Sequence, residues 1–238
     1  MKGTNFYLIG ILSGLLFVMI SCNADNESNL QKENFDTRTY SGVLIGSTGA
    51  YKLNISRSGI GASVLFDGNT YTFSSSESLE NEQSLNLNDG TVSLTIEVDS
   101  NGNNPEVAFT IPGHTIQSTI VLSNPTNPNQ NYIGVKQRVT QNGTKIYEST
   151  FNLTLYDGNK WMGIERVDLD IDPFNPNHQS TQGQVTFVDG TYTENDEQIY
   201  LAYSNGTTIY TLFKIGDNLS FFHESGTSFA VELTQVNF

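Results

Sequence analysis

Three aspartates, Asp168, Asp170 and Asp172, alternate with Leu169 and Ile171 in a run that continues through Pro173, Asn175 and Asn177. Alternate residues of a strand share a face, so the carboxylates would stand on one side, about 7 Å apart, with Val167, Leu169 and Ile171 towards the core. Like charges in such a row repel unless water, a base or a metal offsets them. Calcium is one candidate, because it takes several carboxylate and carbonyl oxygens in flexible geometry. A salt bridge from Arg166 or Lys160, which share the parity of the aspartates, is a second. A solvated acidic edge that deters sheet-to-sheet aggregation is the third.

Pro173 and Gln179 stand where an EF-hand loop needs Gly and Glu, which leaves only a generic calcium loop at this position. Other chemistry is sparse. The chain holds no G-x-S-x-G, no P-loop and no dinucleotide fingerprint. His114, His178 and His223 have no His or Cys at ligand spacing, and each reads as a surface or turn residue. Carboxylate pairs for glycoside hydrolysis are conceivable but no spacing locates them. Trp161, Tyr156, Tyr200, Tyr203 and Tyr210 could form a sugar-stacking surface, although aromatics in sheets more often pack in cores and cross-strand pairs. The expectation is a chain that is not an enzyme.

The elements that must position these residues are strands. Asn, Thr and Ser number 26, 25 and 23, against six Ala, a balance that disfavours helix. Val92, Leu94, Ile96 and Val98 alternate with Ser93, Thr95 and Glu97; Phe151, Leu153 and Leu155 alternate with Asn152 and Thr154; Phe229, Val231 and Leu233 continue the pattern. This is antiparallel sheet with one buried and one wet face. Turn signals recur, among them Asp67-Gly68, Asp89-Gly90, Asn142-Gly143, Asp157-Gly158, Asp189-Gly190 and Gly216-Asp217. The body therefore reads as all-β, antiparallel meanders of about fourteen short strands.

Ser123 to Asn131 (SNPTNPNQN) has no apolar side chain beyond its two prolines and reads as a linker between two tandem β-sandwich or barrel-like modules, 39–122 and 132–238. The halves echo each other. Tyr40-Ser-Gly42-Val43 resembles Tyr132-Ile-Gly134-Val135, Tyr51-Lys-Leu53 resembles Phe151-Asn-Leu153, and Phe66-Asp67-Gly68 resembles Val188-Asp189-Gly190. Insertions between the landmarks and the biased composition leave duplication and chance both open.

The formal charge of −14 excludes nucleic acid as a partner, since phosphate binding needs basic surface. A single Cys, Cys22, excludes a disulfide framework. Lys2 followed by the apolar run Phe6 to Ile20 reads as a signal peptide over 1–21. Fifteen helical residues reach roughly 22 Å, short of a ~30 Å hydrocarbon core. The run ends Met19-Ile20-Ser21-Cys22, which resembles a bacterial lipobox. That resemblance implies lipidation of Cys22, cleavage before it and acylation of the new amine, hence a membrane partner through the lipid anchor. Residues 22–38 then form a lipidated Cys and a flexible polar tether. Asp25 and Glu27, close to the lipid, resemble the export signal of Bacteroidota lipoproteins, which implies an outer-membrane address facing the cell exterior. From Ser58 to Val135 there is no Lys or Arg. Such an anionic stretch should stand away from anionic headgroups.

Asp189 to Gly226 (DGTYTENDEQIYLAYSNGTTIYTLFKIGDNLSFFHESG) reads as a meander and is similar to the lipocalin-like or calycin-like β-barrel domains of small bacterial lipoproteins. The resemblance rests on rhythm and carries over no binding residue. Taken together, the residues point to a lipid-anchored binding or structural accessory with a protein or glycan partner. A lipocalin-like carrier of a small apolar ligand is the alternative, and a glycan-active hydrolase a third.

Overall fold

Alternating apolar and polar residues between tight turns leave the antiparallel ladder as the way to pair backbone groups. The computed structural model describes residues 37–238 apart from 47, 78, 80–83, 99–103, 174, 205–207 and 226. The signal peptide, Cys22 and all but the last residues of the tether lie outside the described residues. Within them the regular elements are all strands, seventeen in number against the fourteen or so expected. The surplus includes two-residue pieces, β8 (Gln117–Ser118) and β9 (Val121–Leu122), too short to show a period.

The first half is a β-sandwich. Hairpins join β1 (Arg38–Ile45), β2 (Gly49–Ser56), β3 (Gly59–Phe66) and β4 (Asn69–Ser75), and β8 and β9 return to cover the other edge of β1. Asp67 and Gly68 carry φ of 49° and 73°, the positive values that a two-residue hairpin turn demands. A second sheet comprises β5 (Ser84–Asn88), β6 (Ser93–Glu97) and β7 (Glu106–Thr110). Leu53, Val64 and Phe66 of the first sheet share one core with Leu94, Ile96 and Phe109 of the second. Tyr51 meets Phe109 edge-on at 5.0 Å, and its buried hydroxyl donates to the Thr119 carbonyl at 2.6 Å.

The second half is a closed barrel. β10 (Gln130–Thr140), β11 (Lys145–Tyr156), β12 (Lys160–Asp170), β13 (Val185–Glu194), β14 (Gln198–Tyr203), β15 (Thr208–Ile215), β16 (Asn218–Ser225) and β17 (Thr227–Val236) each pair antiparallel with the next, and β17 pairs back with β10. Asp157-Gly158 and Gly216 turn as expected. Asp189-Gly190 does not: it lies inside β13, paired with β12 and β14. The glycine serves close approach instead, since a Cβ on Gly190 would meet the Ala202 carbonyl oxygen at 1.8 Å and the Trp161 Nε1 at 2.7 Å.

Two of the three sequence echoes occupy matching places. Gly42 of β1 lies opposite Tyr51 of β2, and Gly134 of β10 lies opposite Phe151 of β11. In both, a Cβ would meet a carbonyl oxygen of a neighbouring chain segment at 1.9 Å, so the glycine meets the same packing requirement twice. The third echo breaks, because Asp67-Gly68 is a turn and Asp189-Gly190 is strand.

The face of β11 expected to be wet is covered. Asn152 and Thr154 are fully buried, because β1 lies against β10, β11 and β12. Val43 and Ile45, on the face of β1 turned away from the sandwich core, are buried there. Asn152 Nδ2 donates to the Leu44 carbonyl at 2.8 Å, while its Oδ1 accepts from Thr48 Oγ1 and from the Gly134 N–H, each at 3.1 Å. One side chain thus spends both ends on the joint between sandwich and barrel. Ser123 to Asn131 runs beside it: the Ser123 N–H donates to the Thr39 carbonyl at 2.8 Å, and Asn129 Nδ2 donates to Ser41 Oγ at 3.1 Å and to the Val121 carbonyl at 3.2 Å.

Candidate functional site

Inside the barrel the inward positions of successive strands meet. Phe151, Leu153, Trp161, Ile199, Leu201, Leu212 and Val231 have no accessible surface, and Leu155, Leu219 and Leu233 have at most 2%. A void able to admit water would leave its walls accessible, so this part of the interior is filled by side chains. Trp161, the single tryptophan, donates its Nε1–H to the Ala202 carbonyl at 3.0 Å and lies 5.4 Å from Tyr203.

Towards the end where β10 gives way to β11, the inward parity passes to charged and polar residues. Lys136 Nζ lies 2.5 Å from Glu165 Oε2, with side-chain exposures of only 4% and 14%. Glu165 Oε1 accepts from Tyr147 Oη and Ser149 Oγ, both at 2.7 Å. The ammonium also sits over the rings of Phe151 and Tyr210, 4.1 and 5.2 Å from their centroids. Burial alone would push the Glu165 carboxyl up. The charge and hydrogen bond of Lys136, with the hydroxyls of Ser149 and Tyr147, outweigh it and hold the group below its ordinary value. Burial and the nearby Glu165 charge push Tyr210 up to about 12, and burial raises Tyr147 and Tyr203 as well. A carboxylate held low is a weak general base, so the arrangement suits charge neutralisation better than proton transfer. This cluster escaped the sequence reading. Its only signal was parity: Lys136 follows Tyr132 and Gly134, and Glu165 follows Trp161 and Gly163, at the spacing of inward residues.

The aromatics considered for sugar stacking divide. Trp161, Tyr203 and Tyr210 belong to the barrel interior, with Tyr210 stacked on Phe229 at 6.0 Å. Tyr156 and Tyr200 are half-buried on the strands, and Tyr200 donates to its neighbour Gln198.

The three aspartates are placed apart. Asp168 Oδ2 accepts from the Thr150 N–H at 2.8 Å and its hydroxyl at 2.7 Å, and Oδ1 from Arg166 Nε at 2.8 Å, the local salt bridge. Asp170 Oδ2 accepts from the Thr181 N–H at 2.8 Å and its hydroxyl at 2.7 Å, and Oδ1 lies 2.9 Å from His178 Nε2. Asp172 lies beyond the end of β12, exposed. Among the described residues no group of three or more His, Cys, Asp or Glu side chains is placed to hold an ion. The slight burial of Asp170 opposes ionisation, but the Thr181 hydroxyl and N–H and His178 outweigh it and lower its pKa. Its contribution to stability is therefore present above the ordinary carboxylate pKa and fades as pH falls through the depressed folded value. Asp170→Asn is expected to lower the melting temperature at pH 7 by the same amount in millimolar calcium and in chelator. A calcium loop would instead show a wild-type gain in calcium that the variant lacks.

Where β10 begins and β17 ends is a groove of about 680 Å³ between sandwich and barrel. Thr39, Ser41, Lys52 and Asn54 line it from β1 and β2, Gln130, Asn131, Gln235 and Val236 from β10 and β17. Asn124, Asn127 and Asn129 of the connecting segment complete it together with Asn237 and Phe238. Of its sixteen lining residues among those described, eight are Asn or Gln, none is Asp or Glu and one is Lys, so amides dominate its recognition chemistry.

Comparison with known protein families, curated proteins and solved structures finds no match to the chain.

Proposed function

We propose that the chain is a lipid-anchored accessory of the outer membrane that binds a partner or ligand without catalysing a reaction. The observation that carries this reading is the barrel interior, filled by Phe151, Leu153, Trp161 and their neighbours to zero or near-zero accessibility. A carrier of apolar ligands would keep part of that wall open. The charged cluster above it is spent on itself: every oxygen of Glu165 already accepts from Lys136, Tyr147 or Ser149. Recognition then falls to the outer surface, where the amide-lined groove offers concave space. The lipobox at Cys22 supplies the anchor, and the base-free stretch from Ser58 to Val135 favours a body held off an anionic membrane and facing outwards.

Trp161 reports on the test, because it is the only tryptophan and sits in the barrel. In the full chain, an apolar fluorophore such as cis-parinaric acid should neither quench Trp161 nor receive energy from it. In cells, Cys22→Ser should leave the outer-membrane fraction. Saturable energy transfer from Trp161 would make the barrel a carrier, and an outer-membrane Cys22→Ser would remove the anchor.

A further inference from the structure

We propose that the groove between sandwich and barrel is a binding site for a neutral carbohydrate segment, an assignment that rests on the binding-accessory reading and gives it a ligand class. Three observations converge. The chain has 25 acidic residues, yet among the described residues no carboxylate side chain lines the groove, while amides and hydroxyls dominate it. An amide presents a donor and an acceptor side by side, the match for vicinal hydroxyls that each give and accept. Several of these groups are available to a ligand: Lys52, Gln235 and Asn237 are partly or fully exposed and have no side-chain partner among the described residues. Finally, Phe238, 43% exposed, and the rings of Pro125 and Pro128 give apolar faces against which the C–H side of a sugar packs.

Other ligand classes fit less well. A nucleic acid needs several cations, and among the described residues Lys52 is the only Lys or Arg lining the groove. An extended peptide gains its affinity from a free strand edge and from apolar pockets for alternate side chains. Here β1 is paired on both sides, as are β10 and β17, so the strands at the groove offer no ladder. The volume lies within the range of ordinary ligand pockets, about 300–1,000 Å³.

The test titrates the full chain in detergent with neutral hexasaccharides of gluco, manno, galacto and xylo configuration, read by calorimetry and by Trp161 fluorescence. At least one should bind, with Trp161 unchanged. The double variant Gln235→Ala/Asn237→Ala, which removes side chains without described partners, should bind it about tenfold more weakly or worse. Glu97→Gln, on the exposed end of β6, should bind as wild type. Failure of all four saccharides overturns the carbohydrate assignment and leaves the accessory reading to its own test. Binding that ignores the double variant overturns the groove as the site. Binding that also shifts Trp161 emission overturns the filled-barrel argument as well. Binding of an extended polyasparagine peptide in place of every sugar replaces the ligand class.

Discussion

Lys136→Met is expected to cost about 3–5 kcal/mol of stability, the range for breaking a buried pair and stranding its partner. Glu165 would keep Tyr147 and Ser149 but lose the ammonium that holds its pKa down. Adding Glu165→Leu to Lys136→Met should recover most of the loss, because an apolar pair of similar volume avoids the desolvation of both charges. Denaturant melts of wild type, single and double variant measure this directly. The pH dependence has a fixed sign. Glu165 is depressed from its ordinary value of 4.5, so its contribution is full above that pH and fades as pH falls through the lower folded value. The double variant should lack that acid-side loss. A single variant as stable as wild type would mean the pair is not desolvated in solution.

Asn152→Ala is expected to destabilise by about 3 kcal/mol, because it leaves the Leu44 carbonyl, the Gly134 N–H and the Thr48 hydroxyl without their shared partner. The effect should spread beyond the global melt. With the joint loosened, the segment Ser123 to Asn131, whose residues 125–128 are exposed, should be cleaved faster by a low dose of protease than in wild type. Thr154→Ala, a neighbour on the same face whose hydroxyl bonds only Asn131 Oδ1 at 2.8 Å, should change the cleavage rate much less. Equal cleavage rates for wild type and Asn152→Ala would show that the joint does not govern the segment.

What could be read from the sequence followed from local pattern. The two-residue period of Val92 to Val98 and of Phe151 to Leu155 places strands correctly, and the chain is all-β with antiparallel sheets and a closed barrel. The pairing of Gly42 with Tyr51 and of Gly134 with Phe151 across neighbouring strands reflects a real packing rule. What could not be read depends on contacts between distant strands. Asn152 looks wet beside Phe151 and Leu153 until β1 arrives to cover it. Lys136 and Glu165 look like solvent-facing charges until closure turns their faces inwards, 29 residues apart in sequence. Asp189-Gly190 has the composition of a turn, and the close approach of the Ala202 carbonyl and the Trp161 indole to Gly190 explains why strand runs through it. The amide groove is assembled from both halves and the segment between them, so no single window of sequence displays it.

The barrel's seam joins its first strand to its last, with Asn131 opposite Val236 and Thr140 opposite Thr227. A chain delivered from its N-terminus can complete the sandwich once β9 has emerged at Leu122, since nothing later in the sequence belongs to those two sheets. The barrel has no such early stage. Until Thr227 to Val236 arrives, β10 and β16 each present an unpaired edge, and such edges invite pairing with other chains. The last ten-residue strand is therefore the latch of the whole second half, and the interval before it closes is when the nascent chain most needs protection from its neighbours.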